Sequence, residues 1–403
     1  MWNNLRAMAV WTVALAMPAG IVSAQQLSAG ADASSSVKFD LPADSPVTLI
    51  SASTGQYRMT PRGGMMVLDL HMSVTLRNSA PRSVRGVVLL ITAQEFTPGG
   101  KGAVARPCID VPAGQNFTVP IDLKLAKPVQ QATGPLVHVQ LDGVVFDDLS
   151  FYGPNRLKSS QRDLTLWEVE AQRDRAYYKQ VLQAKGEAGL QKEVLSSMAR
   201  AGDRPQLDVA LSHNGRAVGS DISGAVSGSE DLHAHFAFLS MPDAPVLPVQ
   251  GQASIDGNEV RAPWIEIQNL SKKPVRYVEI GWVVKDKDGN EYLAGSVPGS
   301  SVTALTTSGA SLGSEIQAGQ RGRIEPDATL KFSRAGHPVG IDSMTGYVSQ
   351  VEFSDGKMWV PSRKDLTSSS LLRTMAPSTE EQRLLDIYAK QGLTALVADL
   401  SRY

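Results

Sequence analysis

The side chains best placed for chemistry in this chain are His233 and His235, two residues apart, with Asp231 beside them. On a strand that spacing sends both imidazoles to one face, and two ring nitrogens with a carboxylate oxygen are ligands that zinc accepts. Two histidines fall short of a closed four-ligand site, and a solvent-facing strand accounts for the same residues. The expectation is therefore no metal and no cofactor, with His233, His235 and Asp231 as the candidates to test. Asp286, Asp288, Asn290 and Glu291 also gather oxygen ligands in a short run. Their spacing is not that of an EF-hand loop, and Asp288-Gly289 suits a hairpin turn with positive φ. Tyr152 and Trp359 are the binding candidates, each just before a proline at Pro154 or Pro361. Such aromatics either stack on a sugar or peptide or plug the edge of a core, and plugging is the reading adopted.

Motifs that carry a mechanism are few. The chain has no His-Glu-x-x-His, no Gly-x-Ser-x-Gly and no Gly-x-x-x-x-Gly-Lys, and its one cysteine, Cys108, cannot form an internal disulfide or a thiolate cluster. Cys108 reads as a small buried side chain in a strand-like place. Asn116-Phe117-Thr118 and Asn269-Leu270-Ser271 match the glycosylation pattern, which is common by chance. Lysine and arginine number 39 against 40 acidic residues in 403, so no basic field exists to attract nucleic acid.

The elements that would position these residues are written twice. Val74–Ala93 returns 191 positions later as Ile265–Val284, with Asn78 on Asn269, Val84 on Val275 and Arg85 on Arg276. Val111–Gln115 is answered by Ile316–Gln320, and Val144–Pro154 by Val351–Pro361. Asp-Leu then follows at Asp163–Leu164 and Asp365–Leu366. Strand, turn and corner are repeated rather than any catalytic group.

Arg6 followed by the apolar run Ala7–Val22 and by Val22-Ser23-Ala24 reads as a secretory signal over residues 1–24, cleaved before Gln25. No further apolar run is long enough to span a bilayer, so no membrane span is expected after cleavage. Residues 25–46, rich in Ala, Ser, Gly and Asp, are expected to form a flexible leader without the apolar groups to build a core. Met66–Arg77 alternates apolar and polar residues as a half-buried strand does, and about seven such strands fill residues 47–156. Residues 157–202 change to helical composition, with Asp163 a possible cap and a break near Gly186–Gly189. Residues 203–249 read as a linker with possible strands at Leu207–Leu211 and Leu232–Leu239. The second copy occupies 250–362, with a small-residue insertion at Ser296–Ser314. Residues 363–403 are helical again, with a capping box at Ser378 and Glu381 and a break at Gly392.

Asn269 ending a strand, Lys273-Pro274-Val275 opening the next and Asp286-Lys287-Asp288-Gly289 at the following hairpin resemble the bacterial extracellular immunoglobulin-like modules of the FxLyD type. The resemblance covers about one hairpin per copy and implies interaction in an envelope or outside the cell, with no catalytic residues to carry over. The expected fold is mainly β: two immunoglobulin-like antiparallel β-sandwiches, each followed by helical segments. The expected function is that of a secreted, non-enzymatic interaction or scaffold protein of a bacterial-type cell envelope, periplasmic or extracellular, with a protein or glycan partner. The alternative is an extracellular hydrolase or carbohydrate-binding protein with a site at the interdomain seam.

Overall fold

The computed structural model describes residues 37–62, 65–92, 101–128, 137–201, 206–212, 232–294, 303–305, 311–313, 315–325 and 329–403. Two compact units emerge, one made of Met1–Leu76, Leu89–Val104 and Thr118–Leu141, the other of Arg77–Val88, Ala105–Phe117 and Asp142–Tyr403. The signal segment, Asp231 and the stretch Gly219–Gly228 lie outside the described residues.

In the first unit the alternation in Met65–Asn78 sorts its side chains as the pattern requires. Leu68, Leu70, Met72, Val74 and Leu76 are buried, while His71 faces solvent. That strand lies between Val47–Arg62 and Asn116–Pro128. On its open face His71 holds Asp122 through Nδ1 at 2.8 Å and Asp69 through Nε2 at 3.2 Å. Val37–Asp40 runs parallel to Val137–Gln140, an arrangement the alternation does not announce.

In the second unit the repeat appears bond for bond. Asn78 Nδ2 donates to the carbonyls of Arg82 and Val111 at 2.7 and 2.8 Å, and Asn269 Nδ2 donates to those of Lys273 and Ile316 at 2.8 and 2.9 Å. The side-chain oxygens accept from the backbone N–H of Ala80 and Ser271, both at 2.9 Å. A wholly buried asparagine closes the turn in each copy, because only a carboxamide offers two donors and an acceptor in one plane. The later corners match too. Arg82 pairs with Asp148 at 2.7 Å and Lys273 with Asp355 at 2.6 Å. Each cation also sits over a phenylalanine, Phe146 or Phe353.

The chain is mainly β, but the expected pair of tandem immunoglobulin-like sandwiches is not what it forms. The second copy belongs to one fourteen-stranded, nearly closed, barrel-like sheet. Gln206–Ser212 pairs in parallel with Glu291–Ala294 and antiparallel with Thr329–Arg334, tying two would-be facing sheets along one margin. Across from it, Leu232–His235 pairs with Val246–Asp256 and Ala237–Phe238 pairs with Ile341–Phe353, with Phe236 N–H donating to Gly251 O at 2.9 Å between them. All three closing strands come from residues 203–249, read as a linker with possible strands. An open sheet edge leaves backbone donors and acceptors unpaired, and pairing at both margins removes that cost. Inside lies a core of Ile267, Val275, Val278, Trp282, Phe332 and Val348.

Among the described residues, four α-helices complete the second unit: α1, Ser160–Ala201; α2, Arg363–Ser368; α3, Thr379–Gln391; and α4, Leu393–Leu400. Helix α1 breaks at Gly186, whose φ of 67° and ψ of −171° leave the helical region. Leu164 on α1 packs with Val88 and Val145, and Leu366 on α2 packs with Met241 and Tyr347, so the repeated Asp-Leu marks the same anchoring leucine after each copy. Asp163 lies in the first turn of α1 rather than at its cap, whereas Ser362 and Asp365 form a complete capping box on α2. On α3, Ser378 accepts from Glu381 N–H at 3.0 Å as the capping pattern requires. The Glu381 carboxylate instead takes two bonds from Arg363, at 2.9 and 2.8 Å, and one from Tyr178 at 3.1 Å. With Arg175 joining Glu168 and Glu380, and Arg383 joining Glu380 and Asp399, these form a buried ion web between α1 and the later helices.

Candidate functional site

A groove of about 390 Å³ opens in the second unit, lined by Asn155, Lys158, Gln161, Arg162, Arg276, Tyr277, Glu315 and Glu352. One wall is the loop into α1, and a buried carboxylate shapes it. Asp142, wholly buried, accepts from Arg156 N–H at 2.6 Å, Leu157 N–H at 3.3 Å and Ser160 Oγ at 2.5 Å. Gly153 lets the loop pass this close: with φ at 135°, a Cβ there would lie 2.5 Å from Asp142 O. Asn155 and Lys158 take left-handed φ of 49° and 58°, and Asn155 Oδ1 accepts from Gln161 N–H at 3.2 Å. Lys158, Gln161 and Arg162 are thereby brought to one rim.

The other wall comes from the barrel. Arg276 and Tyr277 lie on Val275–Asp286, Glu352 lies opposite Tyr277 on Ile341–Phe353, and Glu315 precedes Ile316, which bridges to Val275. Arg276 is paired with Glu352. The Arg162 guanidinium stacks 4.1 Å from the centre of the Tyr277 ring, whose hydroxyl donates to Glu279 at 3.1 Å. Next along α1, burial pushes the Glu170 carboxyl up to about 7, with the Asp174 and Glu279 charges adding to it and Arg173 opposing. Three cations thus face two carboxylates, one of which is spent on Arg276, and the groove suits an anionic group better than a cation.

The residues singled out from sequence lie elsewhere. His233 and His235 sit in the strand Leu232–His235, opposite Ser254 and Gln252, and His235 is exposed. No group of three His, Cys, Asp or Glu side chains suited to a metal occurs among the described residues. Tyr152 and Trp359 are half-buried on equivalent two-residue strands, opposite Val144 and Val351, and neither lines the groove. Trp359 packs against the barrel core, Trp282 is buried edge-on to Phe236, and Trp264 lies under Arg323, so these tryptophans present no row of open faces. Asp286 accepts from the backbone of Asp288 and Asn290, the Asn290 side chain and the Tyr292 hydroxyl, all within 3.0 Å, which spends its oxygens on the hairpin. Of the Ser296–Ser314 insertion, the described parts are the strands Thr303–Leu305 and Ser311–Gly313. Cys108 is buried but has a left-handed φ of 52°, a turn rather than a strand. Of the two glycosylation matches, Asn269 is wholly buried, whereas Asn116 is exposed.

Apart from Arg276, named for its match to Arg85, the groove residues passed unremarked because each is a common polar, charged or aromatic side chain with no motif around it. The available signal was the repeat: Arg276 aligns with Arg85, and Glu315, just before Ile316, with Asp110, just before Val111.

No protein-family model matches the chain, and no curated protein matches it significantly. Several solved structures align at very low similarity. A Streptomyces albus HEPD with 2-hydroxyethylphosphonate and Fe(II) bound aligns at 10% identity and a TM-score of 0.10, over 84% of this chain and 81% of that one. A Lactobacillus farciminis oxalate decarboxylase with formate aligns at 12% identity and a TM-score of 0.08, over 85% and 96%. A B. subtilis oxalate decarboxylase variant aligns at 9% identity and 0.07, over 72% and 74%. The expectation that the chain is not an enzyme is withdrawn: it rested on missing motifs, and catalytic groups can assemble from distant residues, while the structures that align are those of enzymes. Scores this low carry neither their fold nor their chemistry to this protein.

Proposed function

We propose that this chain is a secreted interaction or scaffold protein of a bacterial-type cell envelope, and that the groove beside α1 is where it engages an acidic segment of a protein or glycan partner. The observation that supports this is the wall of Lys158, Arg162 and Arg276 held in place by the buried Asp142 loop and the barrel strands, with Glu315 the acid not paired to Arg276. The groove lies within the size range of small-ligand sites. Charge attraction in such a cleft also raises the encounter rate with an acidic partner.

Secretion rests on the residues 1–24 pattern, and N-terminal sequencing of the chain exported from a bacterial host is expected to begin at Gln25. The binding test measures fluorescence anisotropy of a labelled glutamate-rich peptide and a uronic-acid oligosaccharide against the full chain, with K158E and R162E as variants. At least one probe binds the wild type, more weakly as salt rises, and loses affinity in both variants. Equal affinity of wild type and both variants for every probe removes the groove as the site.

A further inference from the structure

The two copies differ in one informative respect at their equivalent arginines. In the first, Arg85 is buried and paired with Asp110 at 2.8 Å, and its guanidinium lies 4.7 Å from the centre of the Tyr403 ring. Arg175 covers the same ring at 4.1 Å. Burial raises the Tyr403 phenol above its usual pKa against the opposing Arg383 and Arg175 charges, with the Asp110 and Glu380 charges adding to the rise. In the second copy the counterparts of Arg85 and Asp110 are Arg276 and Glu315, and both line the groove. Tyr277 is not the missing ring. It is part of the strand itself, its hydroxyl is engaged by Glu279 and its face is covered by Arg162. Lys158 stands at the rim as a further cation.

We propose that the groove receives a tyrosine side chain from the partner segment, with Arg276 against the ring as Arg85 stands against Tyr403, and with Glu315, the counterpart of Asp110, accepting from its hydroxyl. The proposal rests on the reading of the groove as a partner site and narrows the partner to an acidic, tyrosine-bearing protein segment. Arg276 keeps its bond to Glu352 while its planar face meets the ring, since stacking and in-plane hydrogen bonding use different parts of a guanidinium.

The test titrates the full chain with three peptides, acetyl-Glu-Tyr-Glu-amide, acetyl-Glu-Phe-Glu-amide and acetyl-Glu-Ala-Glu-amide, followed by saturation-transfer NMR. Tyrosine is expected to bind about fivefold more tightly than alanine, with phenylalanine between. E315A, at an exposed position, is expected to bring tyrosine down to phenylalanine, while K158E weakens all three. An unchanged unfolding midpoint for E315A shows that folding is not the cause. Equal binding of the three peptides, or an E315A that keeps the tyrosine preference, overturns the tyrosine seat and leaves the acidic groove standing. Failure of all three to bind overturns the tyrosine seat and the protein-segment reading, and the groove then falls as well if the uronic-acid oligosaccharide also fails to bind.

Discussion

Replacing Asn269 separates the duplicated corner from the strands around it. The side chain donates to Lys273 O and Ile316 O at 2.8 and 2.9 Å and accepts from Ser271 N–H and Oγ at 2.9 and 2.7 Å, with no exposed surface. Both carbonyls keep another donor, Ser271 Oγ and Val275 N–H, so Asn269→Ala does not strand them. The loss is then the net value of these bonds, roughly 1 kcal/mol each, or about 3–4 kcal/mol in all. Asn269→Asp costs more, because a carboxylate cannot donate and brings its charge against two carbonyl oxygens. Asn78→Ala at the matching corner loses three bonds and about 3 kcal/mol. Urea unfolding followed by tryptophan fluorescence measures all three. If Asn269→Ala and Asn269→Asp both unfold within about 0.5 kcal/mol of the wild type, the carboxamide does not hold the corner and the reasoning from the repeat fails.

Glu381→Gln removes the closer of the two buried anions on Arg363, leaving Asp174 at 3.6 Å, and is expected to cost about 3 kcal/mol in the same assay. Burial opposes the Glu381 charge, but the Arg363 bonds outweigh it and hold the carboxyl down at about 2, so its stabilisation is complete above its unfolded pKa and is lost as pH falls through 2. Acid titration of the wild type should therefore show a destabilisation in that window that Glu381→Gln lacks. Glu170 has the opposite sign: its carboxyl is raised to about 7, so folding is favoured below the unfolded value and weakened as pH rises through 7. Glu170→Gln is accordingly expected to unfold later than the wild type at pH 8 and alike at pH 4. Burial, with the Glu380 and Glu168 charges, pushes the Cys108 thiol up to about 12, so a thiol reagent at pH 8 should label it only after denaturant is added.

How far the sequence revealed this molecule depended on whether a feature was local. Asn78 and Asn269, the Asp-Leu anchors and the alternation of Met66–Arg77 were legible because turn chemistry and period-two burial act over a few residues. The barrel was not, because the strands that close it, Gln206–Ser212 and Leu232–His235 with Ala237–Phe238, are short, lie outside the repeated islands and gain their pairing from residues far along the chain. The groove was hidden for a related reason: Lys158, Arg162, Arg276, Glu315 and Glu352 come from four stretches, none with a motif of its own. The capping box at Ser378 was half legible. The cap itself forms, but Glu381 answers Arg363 and Tyr178 rather than its own turn, a choice only tertiary packing could make.

The partners in the ion web lie far apart in the chain: Arg175 meets Glu380 across 205 positions, and Tyr178 meets Glu381 across 203. During synthesis α1 therefore emerges with Arg175 held by Glu168 alone, long before Glu380 and Glu381 are made, and its inner face stays wet until the last helices arrive. Closing so long a loop is slow, and it must precede any reward from the contacts it brings. Final docking of the helices is thus the expected slow step of maturation, well after the turns and hairpins have formed.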